Sequence, residues 1–239
     1  MLARRSLALV FLAALVLAAC SDKSSAPATA PAAVAPPADN AQAVKSVEMY
    51  RQLLESKSYE LAAPIGQEII ATYPGTPAAK EVQETLADTT AKAAAITSRR
   101  RLERLWSYQT GKESGGDQST ASIYDSKSSS GDQVRLVLRR HSSWGQSAYL
   151  FSSGKGFECG KGCTLGVRFD DEALRIKAHL PETGEPAIFI TDDRGFLAKM
   201  SKAQKVSIDV VLKSKGARTL LFEVGGYDPE KFVAVVKKK

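Results

Sequence analysis

Two cysteines placed close together have the most distinctive chemistry in this sequence. Cys159 and Cys163 enclose only Gly160, Lys161 and Gly162, and a pair this close usually forms a disulfide in an oxidising compartment. The two glycines supply the backbone freedom that a tight cross-linked turn requires. A redox pair or half of a zinc site are the alternatives, but neither has its usual spacing or companion ligands. We therefore predict a structural disulfide.

The two histidines are the candidates for acid–base chemistry. Ser142 and Ser143 follow His141, but neighbouring residues on a strand point to opposite faces. His179 precedes Leu180-Pro181 at the end of a predicted strand, and the sequence has no recognisable nucleophile motif. We interpret both histidines as surface or loop residues and predict no catalytic residue. An envelope hydrolase, with one histidine beside a carboxylate, is the less favoured alternative.

Two groups of carboxylates, Asp170-Asp171-Glu172 and Asp192-Asp193, each follow a predicted strand. Aspartates in turns mostly accept hydrogen bonds from backbone amides, and we expect that role here. A shared calcium site is the alternative, because carboxylate oxygens are the ligands that calcium prefers. The sequence contains no metal-binding motif. We therefore predict no metal ion and no cofactor.

A set of basic and aromatic residues is the candidate binding patch, and it consists of Arg135, Arg139, Arg140, Trp144 and Tyr149. Guanidinium groups and aromatic rings together could bind an anionic glycan or a protein. The same residues could equally form the solvated face of a sheet. The net charge of +7 over 239 residues includes no block of five like charges, so we predict no nucleic-acid partner.

The N-terminus combines a positive start, an apolar run and a cysteine. Arg4 and Arg5 precede the uncharged stretch 6–17, which is about half as long as a membrane-spanning helix, and the sequence Leu17-Ala18-Ala19-Cys20 follows. This order resembles the signal and lipobox of bacterial lipoproteins. The resemblance implies that residues 1–19 are removed and that Cys20 carries the lipid. An ordinary secretory signal with an incidental cysteine is the alternative.

The same resemblance implies a location. Ser21 follows Cys20, and the absence of aspartate there favours the outer membrane in the sorting pattern of lipoproteins. Several acyl chains on one residue hold a protein permanently, whereas one chain binds reversibly. We therefore expect a periplasm-facing, lipid-anchored envelope protein whose membrane contact is the lipid on Cys20.

Residues 20–41 are predicted to be a disordered linker, because proline, alanine and serine dominate and aromatic residues are absent. Residues 42–105 have helical periodicity. The fragments Ser58-Tyr59-Glu60-Leu61-Ala62 and Tyr73-Pro74-Gly75-Thr76 resemble one tetratricopeptide-type hairpin. A single repeat cannot build a solenoid, and a plain helical hairpin is the alternative. The helices could pack on the rest of the chain or on a partner.

Residues 106–239 change to short alternating runs, separated by glycine- and serine-rich turns, that predict about nine antiparallel strands. This number of short strands suggests a sandwich or barrel-like sheet pair. One short helix is expected within 194–203, and Asp228-Pro229-Glu230 predicts a C-terminal helix that extends to about Val236. The expected fold class is α+β: a helical hairpin and a long helix, followed by an antiparallel β-sandwich and a short terminal helix.

The β half carries a further resemblance. Trp106-Ser107-Tyr108, Phe157-Glu158-Cys159, Val167-Arg168-Phe169-Asp170 and Phe222-Glu223-Val224 occur in this order. The succession is distantly similar to the type VI secretion accessory proteins TagO and VasI, which implies an envelope β domain and an accessory role in secretion. We expect a non-enzymatic binding module of the periplasm with a protein partner, or with an anionic glycan. Composition and motifs identify neither the ligand nor the oligomeric state.

Overall fold

The computed structural model describes residues 37–127 and 132–236; Cys20 and most of the predicted linker lie outside these ranges. The first elements of the described residues are the helices α1 (Ala41–Glu55), α2 (Tyr59–Thr72) and α3 (Pro77–Arg104). Asn40 caps α1 by accepting a hydrogen bond from an amide of the first turn, and Thr76 does the same for α3. These three helices lie between residues 41 and 104.

The three helices share a small apolar core of their own. Tyr50, Ile69 and Val82 are among its buried residues. Gly66 allows the close approach of α2, because a Cβ atom there would lie 2.8 Å from Tyr50 and 2.9 Å from Leu86. Residues 90–101 of α3 are almost wholly exposed. This part of α3 therefore runs through solvent between the helical core and the β domain. In the described part of the chain, no helix has the length and apolar character needed to cross a membrane.

Among the described residues, nine strands follow in one antiparallel sheet with the order β1-β2-β3-β4-β7-β6-β5-β8-β9. The sheet confirms the α+β class and the number of strands. The strands are β1 (Trp106–Glu113), β2 (Gly116–Tyr124), β3 (Val134–His141), β4 (Gly145–Ser152), β5 (Cys163–Phe169), β6 (Glu172–His179), β7 (Ala187–Ile190), β8 (Val206–Leu212) and β9 (Gly216–Phe222). The helix predicted within 194–203 is α4 (Asp193–Met200), capped by Asp192.

The sheet curls so that its two halves enclose one apolar core. Alternating residues of both halves, such as Leu138 on β3 and Ile208 on β8, belong to a single buried cluster. The sheet ends meet where the backbone amide of Ser126 donates to the carbonyl of Leu221 at 2.8 Å. This sandwich-like arrangement leaves each half with one outer face, and the alternation of strand residues decides which side chains lie there.

The helical segment joins the β domain through the last turns of α3. Arg101 pairs with Glu223 at 2.8 Å, and the indole nitrogen of Trp106 donates to the carbonyl of Val224 at 3.3 Å. Val224 opens a 3-10 helix that ends at Gly226, where a Cβ atom would lie 2.2 Å from the backbone of Leu102. The end of α3 therefore packs directly against this turn.

The C-terminal helix predicted from Asp228 to Val236 is wrong. Residues 229–232 form turns, and residues 233–236 have no regular structure. The carboxylate of Asp228 accepts from the amide of Glu230, two residues on, at 3.0 Å, which is an Asx turn and not a helix cap. Phe232 is only 1% exposed. Burial of this ring in the core stabilises the turn over the helix that local sequence favours.

Candidate functional site

The outer face of the β1-β2-β3-β4-β7 half carries a cleft of about 410 Å³, which we call the guanidinium cleft. Cross-strand register builds it in rows: Gln109 pairs with Thr120, and Thr120 with Arg139. The side chains on β1 and β2 are polar and, except for Glu113, neutral, whereas arginines lie on β3 and aromatic rings on β4 and β7. Its lining residues are Gln109, Glu113, Gln118, Thr120, Ser122, Arg135, Val137, Arg139, Tyr149, Phe151, Glu185, Ala187 and Phe189.

Arg139 is held against three aromatic rings. Its guanidinium carbon lies 5.0 Å from the ring centre of Trp144, 5.3 Å from that of Tyr149 and 5.9 Å from that of Phe189. The rings of Tyr149 and Phe189 stack with centres 4.7 Å apart. Each cation–π contact contributes about 0.5–2 kcal/mol, depending on how far it is shielded from water. These contacts fix the guanidinium before any ligand arrives.

The hydrogen-bonding groups of Arg139 are mostly unused. Its Nε donates to the Oγ of Ser147 at 3.2 Å, and its two terminal nitrogens have no partner among residues 37–127 and 132–236. Arg135 lies 5.0 Å from the ring centre of Phe151. Within the same residues, neither arginine is among those that pair with a carboxylate. Two fixed cations with free N–H groups can bind an anion through charge-assisted hydrogen bonds.

The hydroxyl group of Tyr149 lies in the field of both arginines. Burial raises the pKa of Tyr149, and the positive charges of Arg139 and Arg135 oppose this rise without cancelling it. Glu113 and Glu185 contribute in the same direction as burial. The tyrosine is therefore a neutral hydroxyl at physiological pH and can donate a hydrogen bond to an anion held by the arginines.

His141 has a structural role, and its predicted position at the surface is wrong. The side chain is 2% exposed, and its Nε2 lies 2.9 Å from the carbonyl oxygen of Glu113. Its Nδ1 accepts from the amides of Ser143 and Trp144, which assigns the proton to Nε2. Gly116 makes room for the ring, because a Cβ atom there would lie 2.4 Å from it. His141 thus fastens two hairpin turns together.

His179 is exposed, as predicted, and stacks at 5.9 Å on Phe189 at the edge of the cleft. Four of the five predicted patch residues lie at or beside the cleft, but Arg140 does not. Arg140 occupies the opposite face of β3, where its guanidinium lies 4.1 Å from the ring centre of Phe232 and donates to the carbonyl of that residue. Arg140 therefore holds the C-terminal turn, and the grouping is wrong for this residue.

Phe151 and Phe189 line the cleft but are not among the patch residues predicted from the sequence. Phe151 lies two residues after Tyr149, so strand alternation could have placed both rings on one face. Phe189 reaches Tyr149 only because β7 pairs with β4. The sequence contains no local signal for that contact.

The predicted turn carboxylates hold backbone groups. Asp170 accepts from the amides of Gln204 and Lys205, and Asp192 accepts from the amide of Gly195, which confirms the expected role for these two residues. Glu172 pairs with Lys199 at 2.8 Å. Among the described residues, no group of three or more histidine, cysteine, aspartate or glutamate side chains is arranged to hold a metal ion.

The sulfur atoms of Cys159 and Cys163 lie 2.07 Å apart, at disulfide distance. The cross-link closes the turn before β5, and Gly160 in this turn has a φ of 54°, a value that glycine adopts without strain. The preceding loop is fastened to β8, because the amide of Glu158 donates to the carbonyl of Val211 at 2.8 Å. The pair therefore supports the β5-β8 side of the sheet.

The other half of the sheet has an outer face of different chemistry. A groove of about 600 Å³ runs over β6, β5, β8 and β9, and we call it the basic groove. Arg168 and Arg175 are exposed beside Gly166, Ser207 and Asp209, which form part of its lining. No aromatic residue lines it within the described part of the chain.

Comparisons with known proteins add little information about this site. No protein family matches the chain, and no curated protein matches it either. A solved structure, invasion associated protein B from Bartonella henselae, is similar with a TM-score of 0.36 and 14% identity, over 51% of this chain and 85% of that one. A similarity of this size does not support an inference about function.

Proposed function

We propose that this chain is a lipid-anchored protein of the bacterial envelope that binds an anionic ligand in the guanidinium cleft and catalyses no reaction. The proposal divides the chain into a signal of residues 1–19, a linker of residues 20–41, a helical segment of residues 42–105 and a binding domain of residues 106–239. The lipid on Cys20 would hold the binding domain in the periplasm at the outer membrane.

The observation that carries the binding role is the arrangement of Arg139. Its side chain is stacked on three rings, bonded through Nε to Ser147, and free of a carboxylate partner among the described residues. A side chain that is already restricted by stacking loses less conformational entropy when a ligand binds. An unpaired cation that the fold holds in place is expected to bind an anion more tightly than a mobile surface cation does.

Anion binding is tested on the full chain in detergent by isothermal titration with short carboxylate and phosphate oligomers at low salt. We expect at least one anion to bind and the Arg139→Gln variant to lose about tenfold in affinity, since a hydrogen bond to a charged group contributes about 1.5–3 kcal/mol. Arg175→Gln on the basic groove is the matched control. Equal losses from both substitutions would contradict a specific cleft.

Anchoring is tested separately by changing Cys20 to alanine in cells. The unchanged protein should sediment with outer membranes and carry acyl groups at Cys20, as mass spectrometry of the N-terminal peptide would measure. The Cys20→Ala variant should lose both properties, because its single attachment is gone. Membrane sedimentation that does not depend on Cys20 would overturn the proposed anchor.

An accessory role in a secretion system is a second candidate, supported by the resemblance of the β half to TagO and VasI. The helical segment would then supply a contact with a protein partner, and its tetratricopeptide-like hairpin suits such a contact. Deletion of the gene should reduce secretion through the type VI apparatus, and complementation should restore it. Secretion that is unchanged in the deletion strain would end this candidate and leave the binding proposal intact.

A further inference from the structure

We propose that the ligand of the guanidinium cleft is an acidic saccharide, in which a sugar unit carries one carboxylate and several hydroxyl groups. This inference rests on the proposed binding function and narrows it to one chemical class. It depends on the order of side chains across the sheet: polar groups on β1 and β2 that are neutral except for Glu113, cations on β3, and rings on β4 and β7.

The neutral side matches sugar hydroxyls. Gln109, Thr120 and Ser122 line the cleft, and their side chains have no hydrogen-bond partner within residues 37–127 and 132–236. Gln109 and Thr120 are cross-strand neighbours, and Thr120 lies opposite Arg139 in the next pair. Amide and hydroxyl groups can both donate and accept, as sugar hydroxyls do. A ligand that carries only charge would gain no hydrogen bonds from these groups, which would remain bonded to water.

The cations match a single carboxylate better than a phosphate. A planar guanidinium binds a carboxylate through two parallel hydrogen bonds. Glu113 and Glu185 also line the cleft, and their charges would repel a phosphate group of charge near −2 more than a carboxylate of charge −1. Hydroxyl groups of a sugar could donate to these two glutamates from several positions, whereas inorganic phosphate offers only one or two P–OH donors on a single centre of higher charge.

The rings do not offer an apolar pocket for a peptide side chain. Trp144 stacks on His141 with ring centres 3.8 Å apart, and Tyr149 stacks on Phe189. Arg139 lies over the rings of Trp144, Tyr149 and Phe189. The aliphatic lining residues Val137 and Ala187 are 4% and 3% exposed. The surface presented to a ligand is therefore largely polar, which suits the hydroxyl groups of a saccharide better than an apolar peptide side chain.

The test compares four probes by isothermal titration with the full chain in detergent: trigalacturonate, the neutral galactose trisaccharide, triglutamate and inorganic phosphate. Trigalacturonate should bind at least about tenfold more tightly than each of the others, the difference expected from one additional set of satisfied hydrogen bonds. Arg139→Gln should weaken the binding of trigalacturonate and of any triglutamate that binds.

A variant at Thr120 on β2 distinguishes saccharide binding from anion binding in general. Thr120→Val should weaken trigalacturonate binding about fivefold or more, since one hydrogen bond is lost, and should leave triglutamate binding unchanged. Thr164→Val, at an exposed position of β5, is the matched control and should change neither affinity. Urea unfolding of both variants would verify that they fold as the unchanged chain does.

The remaining outcomes are distinguishable. Triglutamate or phosphate that binds as tightly as trigalacturonate, with dependence on Arg139 but not on Thr120, would overturn the saccharide and leave anion binding standing. A neutral trisaccharide that binds as tightly as the acidic one would also overturn the inference, because the arginines would then add nothing. Failure of every anion tested to bind would contradict both the inference and the proposed function.

Discussion

The guanidinium cleft and the basic groove lie on the two outer faces of one sheet, and both contain arginines with no carboxylate partner among the described residues. They differ in what holds the arginines. In the cleft, Arg139 contacts three rings and Ser147. In the groove, Arg168 and Arg175 are exposed side chains without aromatic neighbours in the lining. The difference shows that an unpaired charge alone does not define a binding site.

Preorganisation is the physical basis of this distinction. A mobile arginine loses up to about 2 kcal/mol of side-chain conformational freedom when a ligand immobilises it. Arg139 has already lost most of that freedom through its stacking contacts. The groove arginines are also better hydrated, so salt screens their interactions more strongly.

Removal of both cleft arginines should have the largest effect. The Arg135→Gln/Arg139→Gln variant should bind its anion about a hundredfold more weakly, because each lost contact with a charged group costs at least about 1.5 kcal/mol. Arg168→Gln/Arg175→Gln removes the same charge from the groove and should change the affinity less than twofold. Titration at two salt concentrations measures both effects. Equal losses would mean that net charge, and not geometry, controls binding.

Removal of the disulfide should destabilise the half of the sheet that carries the basic groove and leave the half that carries the guanidinium cleft unchanged. A cross-linked loop this short stabilises the fold by about 2 kcal/mol in the chain-entropy account. Cys159→Ala/Cys163→Ala should lower the free energy of unfolding in urea by that amount. Hydrogen exchange should become faster at Thr164 and Gly166 and remain unchanged at Leu138. Uniform acceleration over both halves would contradict a local role.

Substitution of a glycine by alanine should lower the stability of the fold on the face with the basic groove and raise it on the face with the cleft. At Gly166 a Cβ atom would lie 2.7 Å from the Oδ2 of Asp209, whose Oδ1 accepts from Thr219 at 2.6 Å. Gly166→Ala should therefore destabilise the fold by about 1 kcal/mol. Gly111→Ala meets no atom within 4 Å and should stabilise β1 by about 0.5 kcal/mol. Thermal unfolding of both variants measures the difference, and matching signs would refute this account of the groove.

The smallest effect concerns the titration of Tyr149. Burial raises the pKa of Tyr149, and Arg139 is the charge that opposes this rise most. Arg139→Gln should therefore raise the pKa of Tyr149 further, as a difference titration against Tyr149→Phe would show. The folded-state pKa of Tyr149 exceeds the unfolded value of about 10. Tyr149 therefore makes its full contribution to the stability of the fold below pH 10, and this contribution is lost as the pH rises through the folded-state pKa. A fall in this pKa in the variant would contradict the assigned proximity.

Alternation along the strands predicts where the strands lie but not their order in the sheet. Val134, Leu136 and Leu138 are buried, as their spacing of two residues indicates. The C-terminal helix was predicted wrongly because the helix signals of Asp228-Pro229-Glu230 are local, whereas the burial of Phe232 depends on distant residues. Tertiary packing routinely outweighs local propensity at chain ends.

The site could be predicted only in part, for a similar reason. Arg139 and Tyr149 belong to neighbouring strands, so a patch on β3 and β4 follows from sequence. Arg140 could have been separated from Arg139 by the same alternation rule. The contact with Phe189 and the burial of His141 require the order of strands and the space left by Gly116. Neither is encoded in a local pattern.

The central claim is that anions bind at the guanidinium cleft and not at the basic groove. The most direct measurement follows backbone amide resonances of the isotope-labelled chain during titration with trigalacturonate at low and moderate salt. The account predicts saturable shifts at Arg139, Tyr149 and Phe189 that persist at moderate salt, with Gly166 and Ser207 unchanged. Shifts centred on Gly166 and Ser207, with β3 unaffected, would contradict it.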